Sequence, residues 1–254
     1  MRIRVLGCSG GVGAGLRTTS FLVDDDILID VGSGVGDLTV GELCGIRHVF
    51  ITHSHLDHVA FLPLLIDTIF DRATGPITVH ARSETIQALR THIFNWTIWP
   101  DFSELPSAEA PVLIFESMLP GAFFSVGQRH VHMLPVDHIV PAAGYLLEHA
   151  GKSLAFSGDT GANDALWASL NSRPSLDYLF VDTAFPNRQA WLAKLAKHYC
   201  PQTLIPDLAK LKHRPKIYLT HLKPGEEQSI LAEVNAAAPG LVIGPLVSGE
   251  IFQL

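Results

Sequence analysis

The chain has 254 residues, 47% of them hydrophobic and 17% charged, with a formal net charge of −7. That length and composition point to one folded domain with a large core and argue against disorder, because no long charge run breaks the apolar pattern. The acidic balance argues against a protein that lives on phosphate-backbone contacts, and no run of 18 apolar residues suggests a membrane span. The opening MRIRVLGCSG lacks the apolar stretch and small-residue cleavage site of a secretion signal. Cys8, Cys44 and Cys200 are odd in number and widely spaced, which fits free thiols in a reducing cytoplasm.

The first third reads as short β-branched strands: RIRVLG, TSFLVDD, DILIDVG and HVFIT. AFLPLLIDTIF reads as a helix, with Pro63 tolerated only near its first turn. PITVHA is expected as a strand and SETIQALRTHIF as a helix capped by Ser83, with Glu84 in its first turn. Residues 97–111 are rich in proline and acid and read as a loop. The strands PVLIFES, RHVHMLPVDH, AGYLLEH and KSLAFSGD follow, then the helix ANDALWASLN and the strand LDYLFVDT. RQAWLAKLAKHY and PQTLIPDLAKLK are helical, PKIYLTH is a strand, GEEQSILAEVN a helix, and LVIG and SGEIFQL are closing strands. The pattern of the first half recurs in the second, which points to two β-rich halves with helices outside.

The stretch HSHLDH, residues 53–58, places three imidazoles and a carboxylate directly after an apolar strand. Imidazole and carboxylate are ligands for zinc and related divalent ions. His53 and His55 point one way and Asp57 and His58 another, so the cluster can serve two ions, each needing further ligands from elsewhere. Three more apolar strands run out into a ligand-type residue: His138, Asp159 and His221. Carboxyl ends of strands are where α/β proteins build sites. The glycine loop GCSGGVGAG has Gly10 and Gly15 at P-loop spacing, but Leu16 and Arg17 stand where lysine and serine or threonine belong, so a P-loop is excluded. The loop is expected to turn tightly beneath the metal site. His130 and His132 alternate on a strand and read as structural, and Trp96 and Trp99 as a lid, a dimer contact or a surface for a base.

THSHLDH resembles the T-H-x-H-x-D-H motif of the metallo-β-lactamase superfamily, and LIDVG, VDH, SGDTG and LTH follow in that family's order. The resemblance spans nearly the whole chain and implies a four-layer αββα sandwich with a dinuclear site. It implies that His53, His55 and His138 hold one divalent ion and Asp57, His58 and His221 the other, with Asp159 bridging. Asp30 would orient the histidine loop through hydrogen bonds. Zinc, manganese or iron would suit these ligands.

The glycine loop and DHIVPAAGYLLE resemble the branch of that family that holds phosphodiesterases and tRNA 3′-processing ribonucleases, and the stretch from LFVDTAFPN to LTHLKP is similar to class II 3′,5′-cyclic nucleotide phosphodiesterases. Two departures stand out: Asp182 replaces the usual glutamate, and VAFLPLLIDTIF lacks the Gly-Leu and Ser-Pro elements of that family. The resemblance implies a small-molecule phosphodiester substrate attacked by a hydroxide bridging the ions, giving a 5′-nucleotide. Asp57 would accept the proton and His198 would donate one to the departing 3′ oxygen, with Lys223, Asn187 and Arg17 addressing the substrate. It also leaves room for a homodimer. The competing readings are a related hydrolase of the same fold, such as a tRNA 3′-processing nuclease or a sulfatase, and a non-catalytic binding member. Of the first, the tRNA nuclease is disfavoured by the acidic charge and the lack of a visible Gly/Pro-rich arm. The second is disfavoured because every expected metal ligand is present.

Overall fold

The computed structural model describes residues 1–254. Strands β1 (Arg2–Gly7), β2 (Ser20–Val23), β3 (Ile27–Ile29), β4 (His48–Phe50), β5 (Ile77–Ala81) and β6 (Leu113–Ser117) lie side by side in that order. A second sheet runs in sequence order through β7 (Phe123–Val126), β8 (Arg129–Pro135), β9 (Ala143–His149), β10 (Lys152–Phe156), β11 (Tyr178–Asp182), β12 (Lys216–Thr220) and β13 (Ile243–Pro245). The last strand, β14 (Ile251–Gln253), returns to the first sheet and pairs antiparallel with β1. Both sheets follow one plan. Antiparallel pairs come first, and then a parallel run, β3 to β6 and β10 to β13, whose carboxyl ends all face the same way.

Side chains alternate across a strand, and here both faces of each sheet are covered. Ile27, Ile29, Phe50, Phe156 and Phe180 point into an apolar layer between the sheets. Leu28, Val49 and Val79 point the other way, under α1 (Val40–Gly45), α2 (Leu56–Val59), α3 (Leu62–Ile69) and α4 (Ser83–His92). Ala155, Leu179 and Leu219 pack beneath α5 (Asp164–Asn171), α7 (Pro201–Leu208) and α8 (Glu227–Ala237). The short α6 (Ala190–Ala196) has its own small cluster with Phe185 and Cys200. This is the expected four-layer αββα sandwich. The three cysteines are unpaired, and no helix is long and apolar enough to cross a membrane.

The structure corrects the sequence reading at four points. The helix expected over AFLPLLIDTIF is two: α2 starts inside the histidine motif, and α3 begins afresh with Pro63 in its first turn, where proline is tolerated. Ser83 is not a cap. Arg82 holds the cap position, and the Ser83 hydroxyl turns to Glu84 instead. Helix α1 lies in a region read as strands, although its capping box, Thr39 with Glu42, was legible. Strand β7 was not foreseen, because FFSV is short and its side chains are half-exposed to exposed. Residues 97–111 hold no helix or strand, as expected.

Candidate metal centre

The site lies where the parallel strands end. Strand β4 runs through Thr52 into His53, β10 into Asp159 and β12 into His221. His138 follows β8. His53, His58 and His221 are buried, and Asp159 is 2% exposed. His53, His55, His138 and Asp159 each bring one donor atom within 4.8 Å of the others, and Asp57, His58 and His221 do the same. Asp159 lies between the groups: its Oδ2 is 3.6 Å from His53 Nε2 and 3.3 Å from His58 Nε2, and its Oδ1 is 3.3 Å from His221 Nδ1. Asp57 Oδ2 is 3.8 Å from His58 Nε2 and 3.7 Å from His221 Nε2.

Thr52 organises the motif from within. Its N–H and hydroxyl donate to the Asp30 carboxylate at 2.8 and 2.9 Å, and its hydroxyl oxygen accepts from His53 Nδ1 at 3.0 Å. His58 Nδ1 donates to Asp30 Oδ2 at 2.7 Å. His138 Nδ1 donates to the Lys197 carbonyl at 3.1 Å. Each of these bonds occupies Nδ1 and leaves Nε2 with its lone pair turned to the cluster, the arrangement a ligating imidazole requires. His53 Nε2, His58 Nε2 and both ring nitrogens of His221 are buried without a hydrogen-bond partner. A folded protein rarely leaves several polar atoms orphaned side by side. Two divalent ions would satisfy them, and the donor set of nitrogen and carboxylate oxygen fits.

Burial and charge oppose each other across the cluster. Burial pushes the His138 imidazole down to about 4 and His221 to about 3, and holds His53 well below its ordinary value. Burial opposes the charge on Asp159, but the adjoining His221 and His58 rings outweigh it and hold the carboxyl well below the usual range. Asp30 and His221 both take left-handed backbone conformations, φ 57° and 61°, which cost non-glycine residues energy and recur at functional sites. The glycine loop closes the floor. A Cβ on Gly10 would stand 2.3 Å from the His221 carbonyl oxygen, so only glycine fits.

The remaining candidates separate. His198 joins the site: its ring stacks 5.2 Å from His221 and meets His138 edge-on at 5.0 Å. Its Nδ1 donates to Asp182 Oδ2 at 2.8 Å. Burial opposes protonation there, but the Asp182 carboxylate overrides it and raises the ring above its ordinary value. Lys223 is committed to the glycine loop, donating to the Gly10 carbonyl at 2.6 Å. Asn187 is committed to the fold: its Oδ1 accepts from Gln202 N at 2.8 Å at the start of α7. Arg17 forks onto Asp37 through Nε at 2.9 Å and Nη2 at 3.2 Å. Trp99 packs on the core beneath the outer helices, and Trp96 is exposed away from the cavity beside the metal centre. His130 bonds Ser125, and His132 Nε2 lies 2.6 Å from Glu148, so both serve the sheet. Sequence reasoning missed three supporting groups: Thr52, Asp182 as the partner of His198, and the Lys197 carbonyl. Thr52 stood in plain view in the motif; a backbone carbonyl carries no sequence signal.

Fold and site define a metallo-hydrolase of the lactamase type. Residues 27–238 match the beta-lactamase superfamily domain, and the chain belongs to that family. It is 27% identical to a probable 3′,5′-cyclic-nucleotide phosphodiesterase of Yersinia pestis, over 88% of this chain and 78% of that one. It is 29% identical to a ribonuclease Z of Halorubrum lacusprofundi, over 58% of this chain and 47% of that one. Its fold matches that of unliganded yeast PDE1 with a TM-score of 0.82 and 20% identity, over 100% of this chain and 99% of the other.

Proposed function

We propose that this protein is a dinuclear metal-dependent phosphodiesterase that hydrolyses 3′,5′-cyclic nucleotides to 5′-nucleotides. The observation that carries the reading is the pair of ligand groups with Asp159 within 3.3 Å of His58 and His221 between them, and the Asp182–His198 pair at their edge. The Yersinia pestis relative supports the substrate class, since its likeness runs over most of both chains.

His53, His55, His138 and Asp159 would hold one ion, and Asp57, His58, His221 and Asp159 the other. When bound, the pair would supply a strong nucleophile at neutral pH and neutralise the phosphoryl oxygens. The Asp57 side chain is 30% exposed and faces the groups of the second set, so it can take the proton of the attacking water. His198 has its Nδ1 proton fixed on Asp182, which leaves Nε2 to hold the proton that the departing 3′ oxygen needs. The bonds from Thr52 and His58 to Asp30 keep the histidine loop in place throughout. Lys223 acts on the site by charge, since its ammonium is tied to Gly10. Zinc, manganese and iron all suit these ligands.

The second reading, an RNA 3′-end nuclease, is favoured by the ribonuclease Z relatives, one of which, from Bradyrhizobium sp., is 24% identical over 84% of this chain and 85% of its own, but the net charge of −7 opposes it. Hydrolysis of 3′,5′-cyclic AMP by zinc- or manganese-loaded protein, beside Asp57→Ala, tests the proposal. Steady release of 5′-AMP that vanishes in the variant is expected. Two bound ions and turnover of bis(p-nitrophenyl) phosphate or pre-tRNA alone would sink the cyclic nucleotide assignment.

A further inference from the structure

Beside the metal centre lies a cavity of about 670 Å³ that the ligand set does not use. Helix α6, the start of α7 and the turn after β10 form its walls, and the lining includes His198 and Asp137, the neighbour of His138. Its size is that of a small-molecule site. Trp191 stands on one wall, 68% exposed. Lys194 is three residues further along α6 and therefore on the same helix face. Lys197, by contrast, is neutralised by Asp137 at 2.6 Å, whereas Lys194 makes no ion pair or hydrogen bond. Across the cavity, the Gln202 backbone is held by Asn187 while its side-chain amide makes no hydrogen bond.

We propose that this cavity is the nucleoside subsite, with the base of the substrate stacked on Trp191 and its polar edge addressed by Lys194 and the Gln202 amide. The inference rests on the cyclic nucleotide reading and deepens it. His198 forms part of the cavity wall and is the group that faces the departing oxygen. In a 3′,5′-cyclic nucleotide that oxygen remains on the nucleoside after the bond breaks, so the nucleoside belongs on the His198 side. An indole accepts the flat face of any base, and the unpaired amide and ammonium supply donors and an acceptor for its edge.

The test compares binding of 5′-AMP and ribose 5-phosphate to metal-loaded protein by calorimetry. The two ligands share sugar and phosphate and differ in the base. Wild type is expected to bind 5′-AMP about 5- to 150-fold more tightly, the range of one base–aromatic stack. Trp191→Ala should erase most of that ratio. Leu195→Ala, 69% exposed on the same helix but off the cavity wall, should leave it. A ratio that survives in Trp191→Ala, or no ratio in wild type, overturns the subsite. Cyclic AMP turnover separates the two ideas. If the ratio depends on Trp191 while cyclic AMP is inert, the base subsite stands and the cyclic nucleotide reading falls. If cyclic AMP is turned over with the ratio unchanged in the variant, the reading stands and the subsite falls.

Discussion

His198 Nδ1 lies 2.8 Å from Asp182 Oδ2, and the His198 ring in turn stacks against the proposed metal ligand His221 at 5.2 Å. The Asp182 carboxylate is fully buried, and its Oδ1 has no hydrogen-bond partner. The pair therefore fixes one tautomer of an imidazole at the rim of the ligand cluster. Geometry alone also lets His198 group with Asp159 and His221 as a third ligand set. A proton donor and a metal ligand respond differently to loss of the carboxylate.

Asp182→Asn is expected to lower kcat on the phosphodiester substrate by about 100-fold or more, the usual worth of a positioned acid, with two ions still bound. Steady-state kinetics together with metal analysis check this. Loss of an ion in the variant, with activity restored by excess metal, would make His198 a ligand instead.

Asp30 holds Thr52 and His58 at the same time. Asp30→Asn keeps a residue type that tolerates the left-handed backbone but has one acceptor oxygen where the carboxylate has two, so Thr52 and His58 cannot both keep their acceptor. Metal affinity, read by chelator competition, should fall by about 10- to 100-fold. An unchanged affinity would mean that the histidine loop is held by its backbone alone.

Gly10→Ala puts a Cβ against the His221 carbonyl oxygen, 2.3 Å away, where a backbone must move. The shift falls on the proposed metal ligand His221, whose own N–H is bonded to the Cys8 carbonyl of the same loop, at 2.8 Å. The expected result is loss of the ion proposed at Asp57, His58 and His221 before the other, seen as one ion bound where two are expected in wild type. Gly15→Ala, in open space but at a positive φ, should cost stability without that loss of metal.

Away from the metal site, His80 is buried between the sheets, stacked on Phe50 at 4.4 Å and bonded to His48 at 3.1 Å. Burial pushes its imidazole down to about 3, and the neighbouring His48 adds to the effect. The folded value lies below the unfolded one, so the unfolded chain binds more protons as the pH falls. The stability His80 confers is thus complete above about pH 6.5 and is lost as pH drops from there towards about 3. Urea midpoints measured from pH 7 to pH 4.5 should fall, and His80→Phe should flatten that slope by up to ~1.4 kcal/mol per pH unit. Identical slopes in both proteins would show that His80 takes up its proton without unfolding.

Three of the proposed metal ligands were legible in the sequence because each stands where an apolar strand stops: His53 after HVFIT, Asp159 after LAFSG and His221 after IYLT. Burial of a strand on both faces demands a continuous apolar run, so a histidine or aspartate at its end is conspicuous. The sandwich itself was legible for the same reason, since the order of strands and helices recurs in the two halves. What depended on exposed or irregular chain was not. FFSV became a strand only because β8 offered it an edge, and Ser83 lost its cap role to the backbone of Arg82.

The roles of Lys223, Asn187 and Arg17 could not be read from their positions in the chain. Each side chain spends its polar atoms on a partner distant in sequence, Gly10, Gln202 or Asp37, and only the folded chain brings those partners within reach. The cavity beside α6 is likewise a product of packing: Trp191 and Gln202 carry no motif, and they face one space only because two helices meet there. Local chemistry and strand periodicity are written along the chain. Which long side chain is free to meet a ligand depends on contacts between residues far apart, so it is decided only when the chain folds.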